Sequence, residues 1–277
     1  MASYNIRDLQ LHLLDVLLRI DAAFRRAGLR YYLVDGSLIG AVREGGFIPW
    51  DDDMDIAVPR PDYERLIRYS RDILPEGLEF VCHENDPSYP LHFGKIQDAQ
   101  TTLIERPHLY YLGGVYVDIF PIDGAPVTMW RRRTHVLRYN LLRRLLYLVC
   151  RDPYRHGHGI SSWVPRLVQK LFTHEGIQRS IRREMMCYDF DRSRFVGVNL
   201  NDGLPAILPK AKLGAPTPIM FEGRTVMGMA DNDYYLTRLF GDYMTPPPPA
   251  ARKQHNFFYC DLKRAYREFN ESDLGLS

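Results

Sequence analysis

The chain has 277 residues, of which 45% are hydrophobic and 25% are charged, and its formal net charge is +2. This composition is typical of a globular protein with a sizeable core, and the low net charge argues against nucleic acid as a partner. The sequence contains no uninterrupted apolar run of the roughly eighteen residues that a membrane span needs.

The N-terminus and the cysteines predict a cytoplasmic protein. The first ten residues, MASYNIRDLQ, contain neither a basic region nor an apolar region of a secretory signal. The four cysteines are widely spaced and form neither a CxxC pair nor a zinc-binding pattern. We therefore expect reduced thiols and no structural zinc site.

The first predicted elements are a helix, a short strand and a second helix. Residues 5–27 place apolar side chains at helical spacing and predict an amphipathic packing helix, which Gly28 ends. Residues 31–35 predict a buried strand, and residues 38–44 predict a short helix.

Gly36 and Ser37 link this strand to the second helix. Glycine allows close approach of a ligand to the backbone, and a helix N-terminus attracts anions, so a phosphate of a nucleotide donor could bind here. The alternative is a plain turn in which Ser37 caps the helix. Arg43 lies about two turns further on and could reach the same phosphates, or it could be solvated.

An acidic segment follows, in which four of five consecutive residues are aspartates: Asp51, Asp52, Asp53 and Asp55. Because side chains alternate along a strand, Asp53 and Asp55 would face the same side, roughly 6.6 Å apart, with Met54 facing the core. Crowded carboxylates repel one another unless a cation lies among them. An all-oxygen site favours Mg²⁺ or Mn²⁺, and this spacing suits metals held roughly 3.5–4 Å apart. The alternative for Asp52 is a solvated turn.

Trp50 and Lys95 are candidate substrate contacts. Trp50 could pack in the core, or its ring could contact a base or a quaternary ammonium group. Lys95 lies within a predicted strand at 91–96, where a lysine among apolar residues can bind a phosphate as a point charge.

Residues 115–123 predict a further strand of the core. Val117 and Ile119 are expected to face the core, so Asp118 would point out of the other face. Asp123 follows a proline and is expected to lie in a turn.

A basic helical segment extends over residues 130–155, with a second helical stretch at about 161–187. The first segment carries a single acid, Asp152, against eight arginines: Arg131, Arg132, Arg133, Arg138, Arg143, Arg144, Arg151 and Arg155. Leucines lie between them. The segment could contact an anionic membrane surface or a phosphate-rich acceptor, or it could be a helical insertion whose arginines are solvated.

Near the C-terminus, a rigid run of prolines at 246–249 precedes the basic residues Arg252, Lys253 and His255. A basic cluster on a stiff segment could close over a diphosphate. The alternative for His255 is a structural role.

Several of these segments together resemble the LicD-type phosphotransferase family, which includes bacterial phosphocholine transferases and the fukutin-related proteins. The similar segments are DGSLIGAVREGGFIPWDDDMDIAV from residue 35, VDIFPID at 117–123, and FEG, YLTRLFGDYMTPPP and RKQH within 221–255. The resemblance includes a lysine near Lys95 and a basic ending with a histidine, and it supports substrate contacts at Lys95, Arg252 and His255.

The resemblance implies an α+β fold, with a nucleotidyltransferase-like mixed sheet flanked by helices. It implies a single catalytic domain over residues 1–277 with a helical insertion at about 128–190. The fold places a third carboxylate on a strand beside the acidic pair, and Asp118 matches that position. Asp53, Asp55 and Asp118 are thus the expected catalytic residues and metal ligands, and Gly36, Ser37, Arg43 and Trp50 complete the expected substrate contacts.

The implied reaction transfers a substituted phosphate group, such as phosphocholine, from a CDP-linked donor to a hydroxyl of a glycan or lipid-linked sugar, and releases CMP. It would modify cell-surface glycans from the cytoplasmic side, and the enzyme could contact the inner face of the membrane. The alternatives are a true nucleotidyltransferase that releases diphosphate, and a non-catalytic scaffold that binds nucleotide or membrane.

Overall fold

The computed structural model describes residues 4–105, 111–154, 159, 162–252, 254 and 257–270. In these ranges the helices are α1 Ile6–Ala27, α2 Asp35–Ile39, α3 Arg60–Ile73, α4 Met129–Cys150, α5 Trp163–Leu171, α6 His174–Met185, α7 Lys210–Leu213 and α8 Asn232–Phe240. The strands are β1 Tyr32–Leu33, β2 Asp55–Pro59, β3 Leu78–Val81, β4 Gly94–Asp98, β5 Thr102–Ile104, β6 Leu112–Gly113, β7 Tyr116–Ala125, β8 Phe195–Gly197, β9 Ile207–Pro209, β10 Thr217–Phe221, β11 Arg224–Gly228 and β12 Tyr259–Asp261.

Helix α1 is capped at both ends and buries one face. The Asn5 side chain accepts hydrogen bonds from the N–H groups of Arg7 and Asp8, and Gly28 ends the helix in the left-handed conformation. The buried face carries Leu9, Leu13, Val16, Leu17, Ile20 and Phe24. The amphipathic packing helix predicted for residues 5–27 is therefore confirmed.

A mixed sheet of seven strands forms the centre of the described part of the fold. Its order is β1-β2-β7-β4-β3, and β7 also pairs with β8, which pairs with β9. Strands β2 and β7 run parallel, whereas the other pairs are antiparallel. This arrangement confirms the α+β class with a mixed sheet flanked by helices.

The chain leaves the first strand sooner than the sequence predicted. Strand β1 covers only Tyr32–Leu33, and α2 begins at Asp35, which has a positive φ of 48°. Helix α2 continues into a π-helical turn at Gly40–Glu44. Gly36 and Ser37 therefore lie inside the first turn of the helix and do not form a loop before it.

The prediction that Asp123 lies in a turn is wrong. Strand β7 continues through Pro121, and Asp123 pairs with Gly197 of β8. The buried Asp123 carboxylate accepts two hydrogen bonds from Arg60, at 2.7 Å from Nε and 2.6 Å from Nη2. This buried ion pair joins the start of α3 to the centre of the sheet.

Helices α4, α5 and α6 lie between β7 and β8, in the region predicted as a helical insertion. Helices α4 and α6 contribute to a second hydrophobic cluster that includes Val136, Tyr139, Leu146, Ile177, Ile181 and Met185. The assignment of the whole chain to a single domain stays a prediction.

Candidate active site

Asp55 and Asp118 lie side by side on the two parallel strands at the centre of the sheet. They are direct partners in the register of β2 and β7, and the Asp118 N–H donates to the Met54 carbonyl at 2.9 Å. Met54 and Ile56 are fully buried, as the alternation predicted. Asp53 lies two residues before Asp55, in the segment that leads into β2. The structure therefore brings the three predicted carboxylates together.

Ser37 fixes the backbone at Asp55. Its side-chain oxygen accepts a hydrogen bond from the Asp55 N–H at 2.8 Å, and Ser37 itself is buried. The N-cap position of α2 is Val34, so the alternative in which Ser37 caps the helix is wrong. Ser37 thus positions the acidic strand, and its contact with substrate stays a prediction.

Gly36 allows Asp51 to approach the first turn of α2. A Cβ atom at position 36 would lie 2.7 Å from Oδ2 of Asp51, closer than real Cβ atoms approach their neighbours. Only glycine fits there without moving Asp51, so this glycine shapes the site whether or not a ligand approaches it.

Asp35 is a further carboxylate of the site that the sequence did not single out. Its Oδ1 accepts a hydrogen bond from the Tyr235 hydroxyl at 2.6 Å, and its Oδ2 accepts one from Asn199 Nδ2 at 2.9 Å. Burial raises the pKa of Asp35, and the charge of Asp53 adds to this effect. The only sequence feature that could have identified Asp35 as a site residue is its position directly before Gly36. Its hydrogen-bond partners lie 164 and 200 residues away in the sequence, so no local pattern indicates them.

Negative charge converges on Asp55. Burial raises the pKa of its carboxyl well above the usual range. The carboxylates that raise this pKa further are those of Asp53, Asp118, Asp35 and Asp51. Such a group of carboxylates favours a bound proton or a cation among them.

Lys95 places a buried positive charge next to Asp118. The two residues are opposite each other on β4 and β7, with Lys95 Nζ 3.6 Å from Asp118 Oδ1 and 3.0 Å from Glu105 Oε2. The ammonium also lies 3.2 Å from the centroid of the Tyr116 ring. We call the carboxylates around Asp55, which are those of Asp35, Asp51, Asp53 and Asp118, together with Asp55 itself, the acidic centre. Lys95 lies beside this centre, where it could contact the predicted phosphate.

The structure shows local contacts for Arg43, Trp50 and Arg252. The buried Arg43 guanidinium donates to the Tyr243 carbonyl at 2.8 Å, so the alternative that it is solvated is wrong. Trp50 packs against the main core, and the guanidinium carbon of Arg252 lies 4.2 Å from its ring centroid. His255 lies outside the described residues, so its expected role stays a prediction.

Known proteins resemble this chain over most of its length. Residues 28–140 match the family described as "LicD/FKTN/FKRP, nucleotidyltransferase domain". The lipopolysaccharide cholinephosphotransferase LicD of Haemophilus influenzae is 26% identical over 270 residues, which cover 92% of this chain and 97% of that protein. Residues 28–140 of the chain are thus identified as a LicD-type nucleotidyltransferase domain. The chain is accordingly a phosphotransferase.

A shorter similarity connects this LicD-type phosphotransferase to animal proteins. The ribitol 5-phosphate transferases FKRP of Mus musculus and Homo sapiens are each 56% identical over 32 residues, which cover 12% of this chain and 6% of those proteins. The LicD match at 28–140 contains Asp35, Lys95 and Asp118, whereas Tyr235 lies beyond it. The contact that orients Asp35 thus comes from outside the matched region.

The carboxylates of the LicD-type centre fit a hard divalent cation. Their donor atoms are carboxylate oxygens from two adjacent strands, and their charges raise the pKa of Asp55. Oxygen donors are those that Mg²⁺ and Mn²⁺ prefer.

A different set of potential metal ligands lies in the helical insertion of the LicD-type fold. His135 Nδ1 is 2.9 Å from Glu184 Oε1 and 3.8 Å from Cys187 Sγ. Nitrogen and sulfur donors do not suit Mg²⁺, so this set is distinct from the predicted centre.

Among the described residues, no helix is both long and apolar enough to cross a membrane.

Proposed function

We propose that this phosphotransferase moves a substituted phosphate group, with phosphocholine the first candidate, from a CDP-linked donor to a hydroxyl of a glycan or lipid-linked sugar. The single observation that supports this reaction best is the pairing of Asp55 with Asp118 beside Lys95. The similarity to LicD over 92% of this chain supports choline phosphate as the group and lipopolysaccharide or a related glycan as the acceptor.

The bond changes of the proposed reaction are simple. The acceptor oxygen bonds to the phosphorus that carries the choline, and the bond from that phosphorus to the bridging oxygen breaks. The bridging oxygen leaves with CMP, and the acceptor hydroxyl gives up its proton. Such a transfer needs positioning and charge neutralisation more than covalent catalysis.

Asp53, Asp55 and Asp118 would hold one or two Mg²⁺ or Mn²⁺ ions. Bound there, the metal would neutralise charge on the diphosphate and lower the pKa of the acceptor hydroxyl. The convergence of carboxylates on Asp55 supports this assignment.

Asp118 is the proposed base for the acceptor proton. Its Oδ1 lies 3.6 Å from the Lys95 ammonium, on the strand face where the carboxylates of the site meet. Lys95 also offers positive charge to the transferring phosphate, and Ser37 holds the Asp55 backbone in place. Gly36, Arg43, Trp50, Arg252 and His255 remain the proposed contacts to the donor.

Ribitol phosphate is a second candidate for the transferred group. The short similarity to the ribitol 5-phosphate transferases supports it, although that segment covers only 12% of this chain. A nucleotidyltransferase reaction would use the same carboxylates but would break the other bond of the diphosphate and release diphosphate from CTP.

One assay separates these reactions. The protein is incubated with Mg²⁺, a glycan extract and either CDP-choline, CDP-ribitol or CTP, and the products are identified by mass spectrometry. We expect CMP and a phosphocholine-bearing glycan from CDP-choline, and neither product with Asp55→Asn. The matched control is Asp15→Asn, whose carboxylate is exposed on α1. Diphosphate released from CTP would replace the proposal with the nucleotidyltransferase reaction, and full activity of Asp55→Asn would refute the role of the acidic centre.

A further inference from the structure

Helices α4 and α5 form the most basic part of the chain. Between residues 127 and 173 the sequence contains one acidic residue, Asp152, and ten arginines and lysines. The whole chain has a net charge of only +2, so positive charge is concentrated in this segment. Such a surface attracts anionic partners and repels a second copy of itself.

Helix α4 has a buried face and an exposed apolar face. Val136, Tyr139 and Leu146 pack into the second hydrophobic cluster. Trp130, Leu137 and Leu141 are exposed and share the other face, since they are spaced seven and four residues apart along the helix. The exposed fraction of Leu137 is 68%, which is unusual for a leucine in a folded helix.

Helix α5 repeats this pattern. Pro165 and Val168 are buried, whereas Trp163, Leu167 and Leu171 are exposed at a spacing of four residues. Trp163 is the most exposed of these, at 70%. Basic side chains lie between the apolar ones, at Arg166 and Lys170.

The two helices are fixed to each other. Gln169 of α5 donates hydrogen bonds to carbonyls at the end of α4, at 2.8 Å to Arg151 and 3.2 Å to Val149. The exposed apolar residues therefore belong to one folded unit. We call the set Trp130, Leu137, Leu141, Trp163, Leu167 and Leu171, with the exposed basic residues Arg131, Arg133, Arg138, Arg144, Arg166 and Lys170, the docking surface.

We propose that the docking surface binds the interface of an anionic lipid bilayer. Exposed tryptophans and leucines enter the boundary between headgroups and acyl chains, and arginines and lysines contact anionic headgroups. A nucleic acid would leave the leucines in water, and a second copy would place like charges together. The bilayer satisfies both the apolar and the basic side chains.

The docking surface is connected to the acidic centre through the segment at 199–202. On the buried side of α4, the Tyr139 hydroxyl and Arg143 Nη1 donate to Asn201 Oδ1 at 2.8 Å and 3.0 Å. Asn199, two residues earlier, donates to Asp35. These contacts link the helix that carries the docking surface to the acidic centre, and the inference that the acceptor is lipid-linked rests on the proposed function.

The test is sedimentation of the full chain with vesicles. One vesicle type contains equal parts of phosphatidylcholine and phosphatidylglycerol, and the other contains phosphatidylcholine alone. We expect the wild type to sediment with the anionic vesicles and much less with the neutral ones. The double variant Trp163→Asp/Leu167→Asp should lose at least roughly tenfold in apparent affinity, because it places charge on the apolar face. Both positions are exposed, so the variant should fold, which circular dichroism checks.

The matched control is Leu11→Asp, which changes an exposed leucine of α1, outside the docking surface. It should sediment like the wild type. Failure of the wild type to bind anionic vesicles, or equal binding by the double variant, would overturn the proposal. A dimer of the wild type that the double variant loses would assign the surface to self-association instead. Asp55→Asn should still bind vesicles, so loss of the reaction and loss of membrane binding are distinguishable.

Discussion

The ammonium of Lys95 lies 3.6 Å from Oδ1 of Asp118, on the neighbouring strand of the sheet. The same ammonium contacts Glu105 and the face of Tyr116, and Lys95 is buried. This relationship places one positive charge at the edge of a group of carboxylates. The site therefore contains a candidate base, Asp118, and a positive charge, Lys95, that can bind a phosphate.

Replacement of Lys95 with methionine should lower turnover by roughly 10²–10³-fold, the usual cost of losing one donor to a developing negative charge. Methionine has an unbranched side chain only one atom shorter than that of lysine, and it carries no charge. Release of CMP from the CDP-linked donor is the measurement, with Lys263→Met as the control at an exposed position. A turnover equal to that of the wild type would exclude Lys95 from the reaction.

Replacement of Gly36 with alanine should destabilise the protein by about 1–3 kcal/mol, because the new methyl group would lie 2.7 Å from Asp51 Oδ2. The same change should lower activity, since Asp51 must move. Urea unfolding measures the free energy of unfolding. Gly159→Ala is the matched control, because no atom of the described residues lies within 4 Å of its added Cβ atom. Equal stability of the two variants would show that Asp51 has room to shift.

The buried ion pair between Arg60 and Asp123 should be essential to stability. Asp123→Asn leaves the buried Arg60 guanidinium with only the more distant Glu64 carboxylate, 3.4 Å from Nη1, which should cost about 3–5 kcal/mol. The exposed pair Arg179–Glu175, with side chains 66% and 67% exposed, provides the comparison. Glu175→Gln should cost less than about 1 kcal/mol. Chemical denaturation of both variants tests the contrast, and similar losses would contradict it.

His92 should make the protein less stable as pH falls. Burial lowers the pKa of His92 to about 4, whereas a histidine in the unfolded chain has a pKa of about 6.5. Between these values the unfolded chain binds a proton that the folded chain does not, so the free energy of unfolding falls as the pH is lowered. The difference corresponds to at most about 3 kcal/mol.

The variant His92→Gln isolates this effect. It should lose less stability than the wild type between about pH 7 and pH 5, the range in which an unfolded histidine takes up its proton. Other groups contribute equally to both proteins, including Asp202, whose pKa burial raises to about 7. If the free energy of unfolding fell equally in the two proteins over this pH range, His92 would be protonated in the folded state.

Several features follow from the sequence because they depend on neighbouring residues. The apolar spacing in α1 and the alternation around Asp53, Asp55 and Asp118 fix which side chains face the core. These patterns act over one or two turns of helix or a few residues of strand. The orientation of the three carboxylates and the helical character of the insertion were therefore predictable from local patterns, whereas the mixed sheet and the position of Asp118 beside the acidic pair were implied by the resemblance to the LicD-type family.

Other features were decided only by tertiary structure. The sequence placed Asp123 in a turn, but β8 pairs with that part of β7 and Arg60 supplies the opposite charge. Asp35 joined the site through Asn199 and Tyr235, which are distant in sequence. No local pattern identifies such partners.

The same distinction applies to the helices of the insertion. Sequence alone predicted a basic helix over residues 130–155, where the structure has the helix Met129–Cys150, because charge and spacing are local properties. It did not determine that Trp163 and Leu167 would be exposed, since an apolar helical face is covered or left open according to what the rest of the chain packs against it. Packing between distant segments thus decided both the partners of the acidic centre and the surface offered to a membrane.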